Sequence, residues 1–271
     1  MSRRSRTAAV IERELRTLVR TRSLLAVAAA FALVVIAVAG GAVGAPGGYV
    51  SLTLDLLTVI EVLVPVLAFG VIYRSIRGDA ERSELDVIRT YPVSRAEYVV
   101  GVYLGRTFGV LVVVAASLAI AGALASFTSP SAASFLATHS AGDSPIVFVR
   151  FAALAMLYAL AVSAVITAAS AAARTTREAL AVGVALVVAV AVGVDLAIVG
   201  LLSGDVVGSG LDVLLGVSPA SAFRGLVVEL AVAPALAATP PIPAASPTAS
   251  LLGLAGWTAV SLGIAVLAVW R

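Results

Sequence analysis

The stretch LTLDLLTVIEVLVPVLAFGVIY, residues 52–73, runs into RSIRGDAERSELDVIRTYPVSRAEY, residues 74–98, and then into VVGVYLGRTFGVLVVVAASLAIAGALA, residues 99–125. Two apolar runs around one polar insert decide the fold. A helix rises ~1.5 Å per residue, so about 20 apolar residues cross a hydrocarbon layer about 30 Å thick. Both runs reach that length, and the insert is too polar to enter lipid. Working outward, further apolar runs near 24–43, 147–172, 179–202 and 251–270 bring the expected spans to six. The expected fold is therefore all-α, a polytopic membrane protein with one transmembrane domain over 1–271.

Composition agrees: 61% of residues are hydrophobic, only 12% are charged, and mean hydropathy is +1.10, whereas soluble domains carry roughly 25% charged residues. The first run ends in small residues near Gly40–Ala45, as a signal peptide does. Five further runs follow it, so it reads as a retained span.

The arginines orient the chain. With the N-terminus inside, segments 1–23, 74–98 and 173–178 and the terminal Arg271 hold 15 of the 18 basic residues. Arg106 sits just inside the third span, leaving Arg150 and Arg224 outside. The positive-inside bias then places both termini in the cytoplasm of a multi-pass protein of the cell membrane. No basic residue is a lysine, so the chain holds no P-loop. It has no cysteine, one histidine (His139) and one internal methionine (Met156), which excludes a zinc site or a thioether ladder for copper. Neither a cofactor nor a catalytic residue is expected.

Three polar regions carry readable local structure. In residues 5–23, Ile11, Leu15, Leu18 and Val19 recur at helical spacing with Arg13, Arg16 and Arg20 on other faces, predicting an amphipathic helix lying in the inner interface. In 74–98, Glu81, Leu85 and Ile88 share a helical face until Pro92 disfavours helix at Tyr91. Ser94 with Glu97 three residues on then forms a capping box for the next helix. In 203–250, Ser218–Pro219 is an N-cap and first-turn pair, and ATPPIPAASP after it is an extended connection. Short outer helices are expected here, with Arg224 at the water edge.

Ionisable groups inside spans are functional candidates by default. Glu61 lies near the middle of the second span, four residues before Pro65; Asp55 is nearer its outer end, and Asp195 is in the outer half of the fifth. Pro65 should free a backbone carbonyl one turn back.

The block VPVLAFGVIYRSIRGDAERSELDVIRTYPVSRAEYVVGVYLGR, residues 64–106, resembles the second-to-third-span region of type-2 ABC transporter permeases. The pattern is carried by Glu81, Arg82, Leu85, Pro92, Val93, Ser94, Arg95, Gly101, Leu104 and Gly105. IERELRTLVRTRS is similar to that family's N-terminal segment, and SPASAFRG to its outer helix start. Within the family the chain is most similar to permeases of copper-processing transporters that mature nitrous oxide reductase. The resemblance implies a six-span permease subunit of an ABC exporter. It would be homodimeric, without ATPase activity of its own, bound to two copies of a separate ABC ATPase subunit, with room for an extracytoplasmic accessory protein. It maps the coupling role onto Glu81, Arg82, Leu85, Pro92, Ser94 and Arg95. Two readings from other classes stay open. One is a secondary transporter driven by an ion gradient, with Glu61 and Asp195 as carriers; the other is a non-transporting membrane scaffold. Against the first, the two halves show no internal repeat.

Overall fold

The computed structural model describes residues 3–41, 48–128, 144–189, 218–235 and 246–270, and every element among them is helical. α1 (Arg3–Arg20) and α2 (Arg22–Gly41) are separated only at Thr21, whose N–H still reaches the Thr17 carbonyl at 3.1 Å. α3 (Gly48–Ile72) leads through a turn into two short helices, α4 (Arg77–Glu81) and α5 (Glu84–Thr90). Then come α6 (Arg95–Thr128), α7 (Pro145–Ala172) and α8 (Thr176–Val188). α9 (Pro219–Leu226) continues through a π-helical stretch, Val227–Val232, and a 3-10 turn, Ala233–Ala235; α10 (Pro247–Ala268) closes the described chain.

Five of these helices, α2, α3, α6, α7 and α10, are long and apolar enough to cross a membrane. The sixth span expected at 179–202 is described only as far as α8 and the residue after it. Its 13 residues reach about 20 Å, short of the ~30 Å a crossing needs. The rest of that run, with Asp195, lies outside the described residues, as do His139 and most of the expected outer segment.

α7 is the centre of the bundle, packed by α3, α6, α8, α9 and α10. Its second half is buried continuously from Ala161 to Ala171 because alanine and serine let neighbouring backbones approach. Its first half holds an aromatic ladder instead. Phe148 packs on Tyr49 and Phe151, with ring centroids 6.4 and 5.7 Å apart, and Tyr158 stacks on Phe223 of α9 at 4.9 Å. α2 and α10 lie at the periphery, with Leu33, Leu252, Val260 and Leu267 open on their outer faces. Such open apolar surface suits lipid or a second copy of the chain.

The start of α9 follows its local signals: the Ser218 hydroxyl accepts the Ser221 N–H at 3.4 Å, with Pro219 in the first turn. Beyond it the helix widens to π geometry, and Arg150 of α7 donates to the Leu230 carbonyl there at 3.3 Å.

Candidate coupling platform and intramembrane charge pair

The polar residues gather at two places, one at the end of the bundle formed by α1, α4 and α5, the other midway along α3.

At the polar end, Ser83 takes a left-handed backbone (φ 59°) and splits the expected 81–91 helix into α4 and α5. Arg82 braces the break, donating to Asp79 at 2.8 Å and Glu84 at 2.7 Å. Tyr91 is extended before Pro92, and the capping box closes as its sequence requires. Ser94 N–H donates to Glu97 at 2.8 Å, and Glu97 N–H donates to the Ser94 hydroxyl at 3.2 Å.

Of the six residues of the coupling pattern only Leu85 points into the core; Glu81, Arg82, Pro92, Ser94 and Arg95 are exposed, and most of them bond sideways to neighbouring elements. Leu85 is buried with Ile76, Tyr98, Val99 and Val269. The Glu81 carboxylate accepts both the backbone N–H (2.6 Å) and the hydroxyl of Thr176, the first residue of α8. Those bonds satisfy an orphan donor of the helix start, favour the anion there and hold the Glu81 carboxyl below the usual carboxylate range. Arg95 lies over the Trp270 ring at 5.1 Å, and the Pro92 carbonyl accepts from Arg6 of α1. Together these residues build a platform. What α5 turns outward is Val87 (59% exposed) and Tyr91 (62%) just past its end, flanked by Asp86 and Arg89.

α1 belongs to this platform. It runs parallel to the base of α6, with Val10 on Gly101, Glu14 on Gly105 and Leu18 on Gly109. A step of four on both helices keeps them in contact for two turns, and the missing side chains permit the approach. A Cβ on Gly105 would stand 2.6 Å from Glu14 Cβ and 3.2 Å from the Ile11 carbonyl. This differs from the helix lying flat that the apolar stripe suggested. Of that stripe Leu18 packs inward, whereas Val19 is 72% exposed. The reason is electrostatic. Arg106 sits inside α6 and requires a countercharge, and the buried Glu14 supplies it at 2.6 Å, with Arg106 itself largely covered. Arg106 also donates to the Val71 carbonyl at 3.2 Å, joining α3. Arg13 bridges Glu14 and Asp79, and Tyr98 donates to Asp79 at 2.8 Å. Burial by itself would lower the Arg13 guanidinium, but the Asp79 and Glu14 carboxylates raise it above its ordinary value. The pattern of 81–105 did not reveal Glu14, Asp79 or Tyr98. The available signals were Arg106 inside an apolar run and the four-residue glycine spacing.

Midway along α3, Pro65 has no N–H to give the Glu61 carbonyl, and the Tyr158 hydroxyl donates to that carbonyl at 3.0 Å instead. The Glu61 carboxylate meets Arg224 of α9, whose Nε donates at 3.2 Å and whose Nη2 donates to the other oxygen. Arg224 thus reaches into the bundle from the helix expected at the water edge. Glu61 is 4% exposed and the Arg224 side chain 47%. Asp55 does not join the pair. It lies on the open face of α3 with Leu54, Thr58, Val62 and Val66.

An all-helical bundle with five membrane-capable helices and a polar platform at one end defines a multi-pass membrane protein. The chain matches the ABC-2 family transporter protein over residues 8–270 and belongs to that family. It is therefore the membrane permease component of an ABC transporter, of a kind that pairs with an ABC ATPase subunit and is not itself catalytic. No curated protein matches it at a significant level.

Proposed function

We propose that this permease works as a homodimeric exporter in the cell membrane, with both termini cytoplasmic, driven by two copies of a separate ABC ATPase that grips α5. The observation that carries this reading is the two-sided character of the α5 segment. Leu85 and Ile88 fasten it to the bundle, and Val87 and Tyr91 project from it as apolar knobs. In this reading Glu81, Arg82, Leu85, Pro92, Ser94 and Arg95 hold the platform in register, and the outward residues make the contact. A push on α5 reaches α6 through the capping box, α8 through Glu81, and α1 through Arg6 and Asp79. The open stripe of α3, with Asp55 and Thr58, then faces the second copy and lines the route. Glu61 holds α9 against α3 through Arg224, while Asp195 remains an intramembrane candidate outside the described residues.

The narrower likeness to copper-processing permeases is proposed for the 81–105 block. With no cysteine in the chain, a copper or sulfur cargo would be held by partners, an extracytoplasmic accessory protein among them. The test is co-purification with the P-loop ATPase, followed by ATP-dependent uptake into inside-out vesicles. Val87→Asp with Tyr91→Asp should abolish ATPase association and uptake while leaving the unfolding midpoint of the permease in place. A doubly substituted chain that still recruits the ATPase and transports would remove the assignment.

A further inference from the structure

A cavity of about 610 Å³ opens between α4–α5 and the last turns of α7 and α10. Its walls divide by chemistry. Ile76, Leu85, Ala171 and Val269 form an apolar floor, and Arg77, Arg89 and Arg174 bring three guanidinium groups to it against one carboxylate, Asp86.

Two of those arginines, Arg77 and Arg174, make few bonds inside the protein. Arg77 donates one long bond, 3.4 Å, to the Ala173 carbonyl, and its Nε is buried with no partner among the described residues. Arg174 is exposed, and only its backbone N–H is engaged, by Glu178 at 2.8 Å. Arg89 rests over Trp270 at 5.7 Å, with Asp86 3.7 Å away. Neither Arg77 nor Arg174 makes a contact-distance salt bridge among the described residues, and Glu81 acts on Arg77 only at longer range. The C-termini of α7 and α10 contribute about half a negative charge each. Asp86 and the two helix ends offset part of the arginines' charge, and Glu81 and Glu178 stand beside Arg77 and Arg174 outside the lining, so what the cavity wall itself offers an anion is the three guanidinium groups against one carboxylate.

The position of the cavity selects its occupant. α7 and α10 are membrane-capable helices, so a cavity at their ends lies at headgroup depth. Basic pockets between spans on the cytoplasmic side take anionic lipid headgroups, and guanidinium groups suit phosphate oxygens bidentately. The volume falls in the range of small-molecule sites, roughly 300–1,000 Å³. We propose that this cavity binds the phosphate headgroup of an anionic phospholipid, with Arg77, Arg89 and Arg174 on the phosphate and the glycerol end over Leu85 and Val269. Because α5 forms one wall, an occupied site braces the segment that Val87 and Tyr91 project from. The inference uses the inward orientation of this end but not the identity of the motor.

The test titrates the purified chain in neutral detergent with phosphatidylglycerol, phosphatidylcholine and inorganic phosphate, reading binding by native mass spectrometry and the unfolding midpoint. Phosphatidylglycerol should bind saturably and raise the midpoint, and phosphatidylcholine and inorganic phosphate should not. Arg89→Gln with Arg174→Gln should weaken phosphatidylglycerol binding about tenfold or more, the scale of losing charge-assisted hydrogen bonds. The double lysine variant should retain part of the affinity. Arg16→Gln with Arg20→Gln, which removes equal charge from α1, should change little. Equal binding by the Arg89/Arg174 glutamine variant, equal loss in the Arg16/Arg20 variant, or an equal response to inorganic phosphate each overturns the proposal. The Arg174 side chain is exposed and makes no hydrogen bond or salt bridge among the described residues, so Arg174→Gln decides the matter even where the double variant folds poorly. Lipid binding is read without the ATPase, so its failure is separable from failure of coupling.

Discussion

Glu61 and Pro65 place two demands on one turn of α3, a buried carboxylate and an unpaired carbonyl, and two neighbouring helices each meet one of them. Tyr158→Phe keeps the ring stacked on Phe223 but leaves the Glu61 carbonyl without a donor. It should cost about 1–3 kcal/mol, the penalty of a buried unsatisfied polar group, read from unfolding in detergent. At the charge pair the two substitutions should differ. Glu61→Gln keeps an amide oxygen for the guanidinium, whereas Arg224→Ala strands a buried carboxylate. Arg224→Ala should be the more damaging, by about 1–3 kcal/mol, a figure below the ~3–5 kcal/mol for fully buried pairs because Arg224 is half open. Equal effects would mean that the pair does not hold α9. The carbonyl freed by Pro65 was legible in the sequence, since proline always lacks its donor. That Tyr158, 97 residues away, would meet it was not.

Among the elements, α1 and α6 carry the clearest mechanical prediction. Gly105→Val should push α1 off α6, because a Cβ there meets Glu14 Cβ and the Ile11 carbonyl, and backbone cannot yield as a flexible side chain can. Loss of about 1–3 kcal/mol is expected, as for other overpacked contacts. Faster tryptic cleavage after Arg13 and Arg16 should accompany it. Gly263→Ala meets nothing within 4 Å and should be neutral or slightly stabilising, by the helix preference of alanine. The capping box at Ser94 is a shorter-range feature, and Ser94→Ala should cost about 1 kcal/mol. It could be read from the sequence because both partners lie within four residues. The direction of α1 could not, since glycine spacing marks where a helix can come close without saying which one does.

At the scale of the molecule, the platform ties α4 to α8 through a carboxylate with an acid limit. Hydrogen bonds from Thr176 depress the Glu81 pKa in the folded state. Its stabilising contribution is therefore complete above the unfolded pKa and lost as pH falls through the lower, folded value. The native chain should unfold at a higher temperature than Glu81→Gln near neutral pH, and the gap should close on acidification. A gap independent of pH would show that the Thr176 contact does not depend on the charge. Arg82 is raised by its bond to Glu84, so it stays charged throughout this range and the change belongs to the carboxylate.

Five membrane-capable helices and the caps at Ser94 and Ser218 were legible in the sequence alone. Each depends on hydrocarbon thickness or on groups a few residues apart, and none requires a partner from elsewhere in the chain. Three features were decided only by the tertiary structure: Glu14 under Arg106, Arg224 on Glu61, and the platform around α4 and α5 that leaves Val87 and Tyr91 exposed. Buried charges must be neutralised, but many arrangements of the same residues satisfy that requirement. Only the packing of α7 against its neighbours, with glycines admitting α1 beside α6, selects which charges meet.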